Sequence, residues 1–168
     1  MRATNSPPLL SLLLLLLLPF TLAVWKDDAY TTDWHRPLLG PSLPQSTFFH
    51  APTTDSKATL IYTLSTRGIL AALNPKDGEI VWRQDLSRGN ARGVAKAGEG
   101  VIVAAVGTNI AAFDAAKGRL LWEREVAADV IDLEILALNG VATVLRDGMI
   151  KTFMPDGADA WERAAKEK

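Results

Sequence analysis

From Ala58 onward the chain is written in short apolar runs parted by polar turns that carry glycine. "ATLIYTL" is followed by "STRG", "ILAAL", "NPKDG" and "EIVW". "GVIVAAV", "GTN", "IAAF", "DAAKG" and "RLLWEREV" repeat that order, and "GVATVL", "RDG", "MIKTF", "MPDG" and "ADAWERA" repeat it again. Runs this short, rich in Val, Ile and Leu and bounded by glycine turns, predict strands joined as hairpins. An additional run, "ARGVAKA" or "VIDLEILAL", precedes each later unit, which gives up to four strands per unit. Residues 24–57 have a different texture, irregular and interrupted by Pro37, Pro41, Pro44 and Pro52. Proline removes a backbone donor and fixes φ, so this segment is expected to hold no long regular element. It has room for one short strand that would close a ring.

The units keep register with one another. Trp82 and Trp122 are 40 residues apart, as are Gly78 and Gly118. Gly157 and Trp161 follow another 39 residues on, so each tryptophan stands four positions after its glycine: "GEIVW", "GRLLW" and "GADAW". Glycine supplies the positive φ that a tight turn needs, and Pro75 presets φ at the entrance of "NPKDG". Each tryptophan adds one large apolar surface, roughly 150–250 Å² when buried. One four-stranded sheet cannot hide both of its faces, whereas a stack of such sheets can. Four strands in about 40 residues match the blade of a β-propeller. Paired helices of similar period fit badly, because β-branched runs and closely spaced glycines do not sustain them. The third unit is the weakest: Ala158-Asp159-Ala160 makes a poor strand, and "WERAAKEK" is equally compatible with the start of a helix. The expected fold is therefore all-β, an incomplete β-propeller of two to three four-stranded blades within residues 58–168. Gly78, Trp82, Gly118, Trp122, Gly157 and Trp161 are its structural repeat.

The first residues read as an address. Arg2 precedes Leu9, Leu10 and the unbroken leucine run from Leu12 to Leu18, and Thr21-Leu22-Ala23 offers small residues for cleavage. A basic start, a short apolar core and a small-residue exit describe a secretory signal peptide over residues 1–23. Pro19 breaks the run before it reaches the roughly 20 apolar residues of a spanning helix. Charge is close to balance, with 18 basic and 19 acidic residues. Such a balance gives no electrostatic grip on nucleic acid or anionic lipid. With no cysteine, stability must come from burial, not from disulfides.

Asn74 or Asp114, then glycine four residues later, then tryptophan four beyond, resembles the repeat of quinoprotein-like (PQQ-like) β-propellers. "WKDDAYTTDWHRPLLG" just behind the leader, together with "GILAALNPKDGEIVWRQDL", resembles a narrower family. It is similar to the lumenal N-terminus of the largest subunit of the endoplasmic reticulum membrane protein complex. In that family an aspartate-aromatic pair, here Asp33-Trp34, opens the mature chain, and Asp77 stands where threonine is frequent. The likeness covers residues 24–168. It implies a non-catalytic scaffold on the lumenal side of the ER membrane, acting through contacts with other subunits of the complex. Such a complex supports insertion and folding of transmembrane proteins, its indirect clients. Family members continue through more blades to a C-terminal membrane helix, which implies that this chain is an N-terminal fragment, a truncated gene model or an isoform. Its membrane association would then come from that further region or from partner subunits.

The chain offers little chemistry to set against this reading. Quinone-dependent dehydrogenases share the propeller type and hold calcium with oxygen ligands, but no cluster here has the spacing of a cation site. Asp129, Asp132 and Glu134 come nearest. Ile131, Leu133 and Ile135 alternate with the latter two, so the acids read as the wet face of a strand. His35 and His50, the two histidines, have no visible convergent partners for zinc or a triad, and His35 reads as a surface or packing residue. "RGNARG", residues 88–93, faintly resembles an RNA-binding tract but falls between two expected blades, as a solvated linker would. No phosphate loop, nucleophile elbow or dinucleotide fingerprint occurs. The expectation is no catalytic residue, no cofactor, no metal and no nucleic-acid partner. Two other classes remain open: a fragment of a quinone-dependent oxidoreductase, and a secreted propeller that binds peptide or carbohydrate.

Overall fold

The computed structural model describes residues 39–53, 55–86 and 93–164. Among them are three antiparallel sheets of four strands each. The first contains β1 (Ser42–His50), β2 (Leu60–Ser65), β3 (Ile69–Leu73) and β4 (Ile80–Asp85). The second contains β5 (Gly93–Gly98), β6 (Val101–Val106), β7 (Asn109–Asp114) and β8 (Leu120–Glu125). The third contains β9 (Val130–Ile135), β10 (Val141–Leu145), β11 (Met149–Phe153) and β12 (Asp159–Ala164). Each sheet is a meander in which neighbours in sequence are neighbours in space, and the first strands meet across sheets, β1 against β5 and β5 against β9. The described sheets do not close a ring. The architecture is an incomplete propeller, nearly all β.

Period-two alternation explains how one sheet serves two neighbours. In β6, Val101, Val103 and Ala105 enter the apolar cluster shared with the third sheet, while Ile102, Ala104 and Val106 enter the cluster shared with the first. In β7, Ile110 and Ala112 take one side and Ala111 and Phe113 the other. The two central strands of the middle sheet are buried on both faces, which is why β6 and β7 read as nearly unbroken apolar runs rather than alternating ones.

Two expectations need correction, and one reading left open between strand and helix is decided. The proline-rich segment contains β1, a nine-residue strand that pairs with β2 as the first strand of its own sheet. The first blade therefore begins ahead of residue 58. β1 tolerates Pro44 because it lies at the edge of its sheet, and its ladder shifts register between Ser42 and Thr47. Second, the "WERA" stretch is strand, not helix, and β12 pairs with β11 from Met149↔Ala164 to Phe153↔Asp159. Third, Ile131 does not share the inward side of β9 with Leu133. The ladder shifts between Val144 and Leu145, pairing Asp132 with Val144 but Val130 with Leu145. That one-residue bulge leaves Ile131 53% exposed and puts Val130 inward in its place.

The turn from β9 to β10 is unusual. Leu138 and Asn139 are both left-handed, at φ 57° and 63°, a conformation that costs an L-residue roughly 1–2 kcal/mol.

Candidate functional site

Each seam between sheets is closed by one tryptophan, and the residue that receives it belongs to the next sheet. Trp82 on β4 reaches the turn before β8, where its indole Nε1 donates to the Ala115 carbonyl at 2.8 Å. The Tyr62 hydroxyl donates to that same carbonyl at 3.0 Å. Gly118 forms the seat of the indole: a Cβ built there would collide with the ring carbons of Trp82. Two positions after the tryptophan, Gln84 Nε2 donates to the Gly118 carbonyl at 2.8 Å. The second seam repeats the arrangement. Trp122 Nε1 donates to the Pro155 carbonyl at 2.9 Å, and Arg124 Nε to the Gly157 carbonyl at 2.8 Å. A Cβ at Gly157 would lie 2.7 Å from two ring carbons of Trp122. The repeat glycine thus has two duties. Its φ, 66° at Gly118 and 83° at Gly157, turns the hairpin, and its bare Cα admits the preceding sheet's indole.

The outer strands are shaped to aim that indole. Ala72 pairs with Trp82 but Leu73 with Ile80, so Val81 is bulged. Leu121 and Ala160 are skipped in the same way in β8 and β12. Each bulge stands immediately before its tryptophan, re-aiming the side chain as bulges do, and leaves Val81 and Leu121 about half exposed. The rings of Phe48, Tyr62, Trp82 and Phe113 follow one another in that order at centroid distances of 5.9, 5.9 and 6.4 Å. Burial, with a smaller contribution from the Asp114 charge, pushes the Tyr62 hydroxyl up to about 12, so it stays a donor throughout the physiological range. Trp122 stacks with Phe153 at 6.0 Å.

The third copy is placed differently. Trp161 pairs with Thr152 as Trp122 does with Ala112, yet it is 54% exposed. With Glu162 and Arg163 it borders an open depression of about 210 Å³. Among the described residues it has no glycine seat. Gly78 turns the first sheet at φ 66°.

Two latches that the tryptophan spacing did not disclose hold the turn between β5 and β6. His50 on β1 places Nε2 2.8 Å from the Gly98 carbonyl and lies edge-on to Tyr62. From the other side, Asn139 accepts the Glu99 N–H at Oδ1 and donates from Nδ2 to the Glu99 carbonyl, both at 2.8 Å. The middle sheet is pinned by both neighbours at one turn. Asn139-Gly140 was the available signal, since Asn-Gly marks a left-handed turn. For Gln84 and Arg124 it was their shared place two residues beyond the tryptophan.

The acids do not converge. Asp129 pairs with Arg146 at 3.3 Å, Glu134 with Lys96 at 3.4 Å, and Asp132 accepts the backbone N–H of Leu133 at 2.9 Å. Among the described residues no group of three His, Cys, Asp or Glu is arranged to hold a metal ion. A cleft of about 430 Å³ opens where the first strands meet, lined by Leu43, Gln45, Val94, Lys96, Val130 and Asp132 among others. His35, Asp33-Trp34, the leader and most of "RGNARG" lie outside the described residues.

Antiparallel meanders stacked face to face and stitched by one indole per seam define a blade array of the β-propeller class. The family model described as the EMC1 N-terminal beta-propeller domain matches residues 23–168, and the chain belongs to that family. A search of the curated proteins returned no match. Among solved structures, the computationally designed Ika8 protein is similar with a TM-score of 0.61 at 12% identity, covering 73% of this chain and 36% of that one. BamB from Moraxella catarrhalis is similar with a TM-score of 0.53 at 20% identity, covering 67% and 34%. The designed Ika4 protein is similar with a TM-score of 0.58 at 13% identity, covering 79% and 82%. The chain spans about a third of the length of the first two. At such identities these likenesses speak to the fold alone.

Proposed function

We propose that this chain is part of a non-catalytic scaffold on the lumenal side of the ER membrane, belonging to the ER membrane protein complex and supporting insertion and folding of transmembrane proteins. The observation that carries the reading is the family match over residues 23–168. The internal chemistry is in keeping with it. The indoles, glycine seats and carbonyl acceptors of the two seams are engaged with one another, which leaves the outer surfaces and the cleft between first strands for partners. The leader would deliver the chain to the secretory pathway, with cleavage after Ala23, and further blades would extend the array.

The test is purification of the affinity-tagged full-length gene product from its own cells in mild detergent. The remaining subunits of the complex are expected to co-purify in fixed ratio, and addition of quinone and calcium is expected to produce no turnover with alcohol or sugar substrates. Turnover dependent on both additions would replace the scaffold by a quinone-dependent oxidoreductase. A solitary, soluble product would replace it by a secreted binding module.

A further inference from the structure

Asn139, which latches the third sheet to the second, is the only asparagine in the chain that glycine follows. Its carboxamide does the holding: Oδ1 accepts the Glu99 N–H and Nδ2 donates to the Glu99 carbonyl, both at 2.8 Å. The carbon that carries those two atoms, Cγ, is also the electrophile in asparagine's own chemistry, attack by the backbone nitrogen of the next residue. Glycine at that next position removes the side chain that would crowd the approach. While the seam is closed, both reacting groups are engaged elsewhere. The carboxamide is tied to Glu99, and the Gly140 N–H donates to the Ala137 carbonyl at 3.3 Å. Gly98 packs so closely that a Cβ built there would collide with Asn139 Oδ1. The other described asparagines lack this route. Asn74 precedes Pro75, whose nitrogen carries no proton. Asn109 is buried in β7 ahead of the β-branched Ile110.

We propose that Asn139 is a site of spontaneous deamidation gated by its own latch, so that an opening of the seam is recorded as a permanent chemical change. Water is the only co-reactant. Once the turn opens, the Gly140 nitrogen loses its proton to base and bonds to Asn139 Cγ. The Cγ–Nδ2 bond breaks, and Nδ2 takes a proton from water and leaves as ammonia. Water then opens the five-membered imide at either carbonyl carbon. Attack at Cγ restores the backbone and leaves an aspartate side chain. Attack at the main-chain carbonyl carbon gives isoaspartate, in which the chain runs through Cγ. Neither product remakes the pair of bonds to Glu99. A carboxylate accepts and does not donate, so one of its oxygens meets the Glu99 carbonyl with no proton between them, an arrangement that costs the latch more than one lost bond. Isoaspartate adds a backbone carbon to a turn position held at φ 63°. The β5–β6 turn then keeps only the His50 latch of the two described. The chemistry is independent of which assembly the chain joins.

The experiment incubates the purified full-length protein at mildly alkaline pH, folded or in urea, and follows each asparagine-bearing peptide by mass spectrometry. In urea the Asn139 peptide is expected to deamidate faster than any other. In the folded chain it is expected to react at least about tenfold more slowly, because reaction proceeds only from the locally open state. Gly140→Ala blocks the chemistry without disturbing the turn: φ at Gly140 is −62°, and an added Cβ meets nothing nearer than 3.5 Å. That variant is expected to keep the parent melting temperature and to deamidate several-fold more slowly in urea. Asn139→Asp is expected to speed hydrogen exchange of the β5–β6 turn several-fold while β6 and β7 stay protected. Equal rates in folded and unfolded chain would remove the gate. No deamidation at Asn139 in urea would remove the site, and an Asn139→Asp turn that exchanges as the parent does would remove the consequence. Each result would overturn the proposal and leave the scaffold reading standing.

Discussion

Trp122 and Trp161 occupy the same register position in successive sheets, yet one is 7% exposed and the other 54%. Both follow a bulged residue on the outermost strand, and both stand opposite a small residue, Ala112 or Thr152. Nothing in the strands themselves separates them. The difference lies in what faces them: Trp122 has Gly157 beneath its ring and the Pro155 carbonyl at its N–H, and Trp161 has neither among the described residues. The indole of each unit is completed by the unit after it. A sheet of this kind is half of a structural element, and the energetic unit is the seam.

The largest test of that comparison is truncation of the three rings. Trp82→Ala and Trp122→Ala each remove a buried aromatic and its hydrogen bond, and each is expected to cost about 3–5 kcal/mol. Trp161→Ala is expected to cost less than about 1 kcal/mol, as an exposed site does. Urea unfolding monitored by far-ultraviolet circular dichroism measures all three. Equal losses would mean that the rings stabilise their own sheets and that seams are not the unit.

The sequence disclosed the period because glycine and tryptophan are the two residues this geometry cannot exchange. Glycine is required twice over at the turn, and tryptophan alone spans from the outer strand to the next turn while offering a donor. It did not disclose β1, because Pro41 and Pro44 argue against a strand in any position but an edge, and edge position is a property of the sheet. It misplaced Ile131 because alternation presumes an unbroken ladder, and the bulge shows only in the pairing with β10. Nor could spacing within a unit reveal that Trp82 sits on Gly118 of the next unit. That pairing joins adjacent units, and a sequence repeat is blind to which copy supplies the partner. Leu138 was invisible for another reason: its conformation runs against its local preference and is held by Asn139 across a seam.

The next test separates the two duties of the seat. Gly118→Ala is expected to cost about 2–4 kcal/mol, the sum of overpacking against Trp82 and the penalty of a left-handed alanine. In the Trp82→Ala background the collision is gone, so the same change is expected to cost only about 1–2 kcal/mol. The coupling between the two substitutions, about 1–2 kcal/mol, is the share of the glycine's role that belongs to the seam. Unfolding midpoints of the two single variants and the double variant yield it directly. Strict additivity would assign the glycine to its turn alone and detach it from the indole.

The smallest expected effect concerns the side chain two positions after each tryptophan, and it tests whether the seam is stitched or merely packed. Gln84 and Arg124 differ in charge and length but donate to equivalent carbonyls, of Gly118 and Gly157, at the same 2.8 Å. That agreement argues for selection of a donor and not of a particular residue. Removal of either donor leaves a turn carbonyl to be satisfied by water at a half-open edge, so Gln84→Ala and Arg124→Ala are each expected to cost about 0.5–1.5 kcal/mol. Arg163 holds the same place on the third sheet and is exposed; Arg163→Ala is expected to be neutral within about 0.5 kcal/mol. Exchange of the two working residues sharpens the point. Gln84→Arg and Arg124→Gln preserve a donor at each site and are expected to retain most of the stability that alanine loses, as read by the same urea midpoints. If alanine at 84 and 124 proves as neutral as at 163, the hydrogen bonds are incidental to the packing of the rings, and the seam reduces to an indole on a glycine.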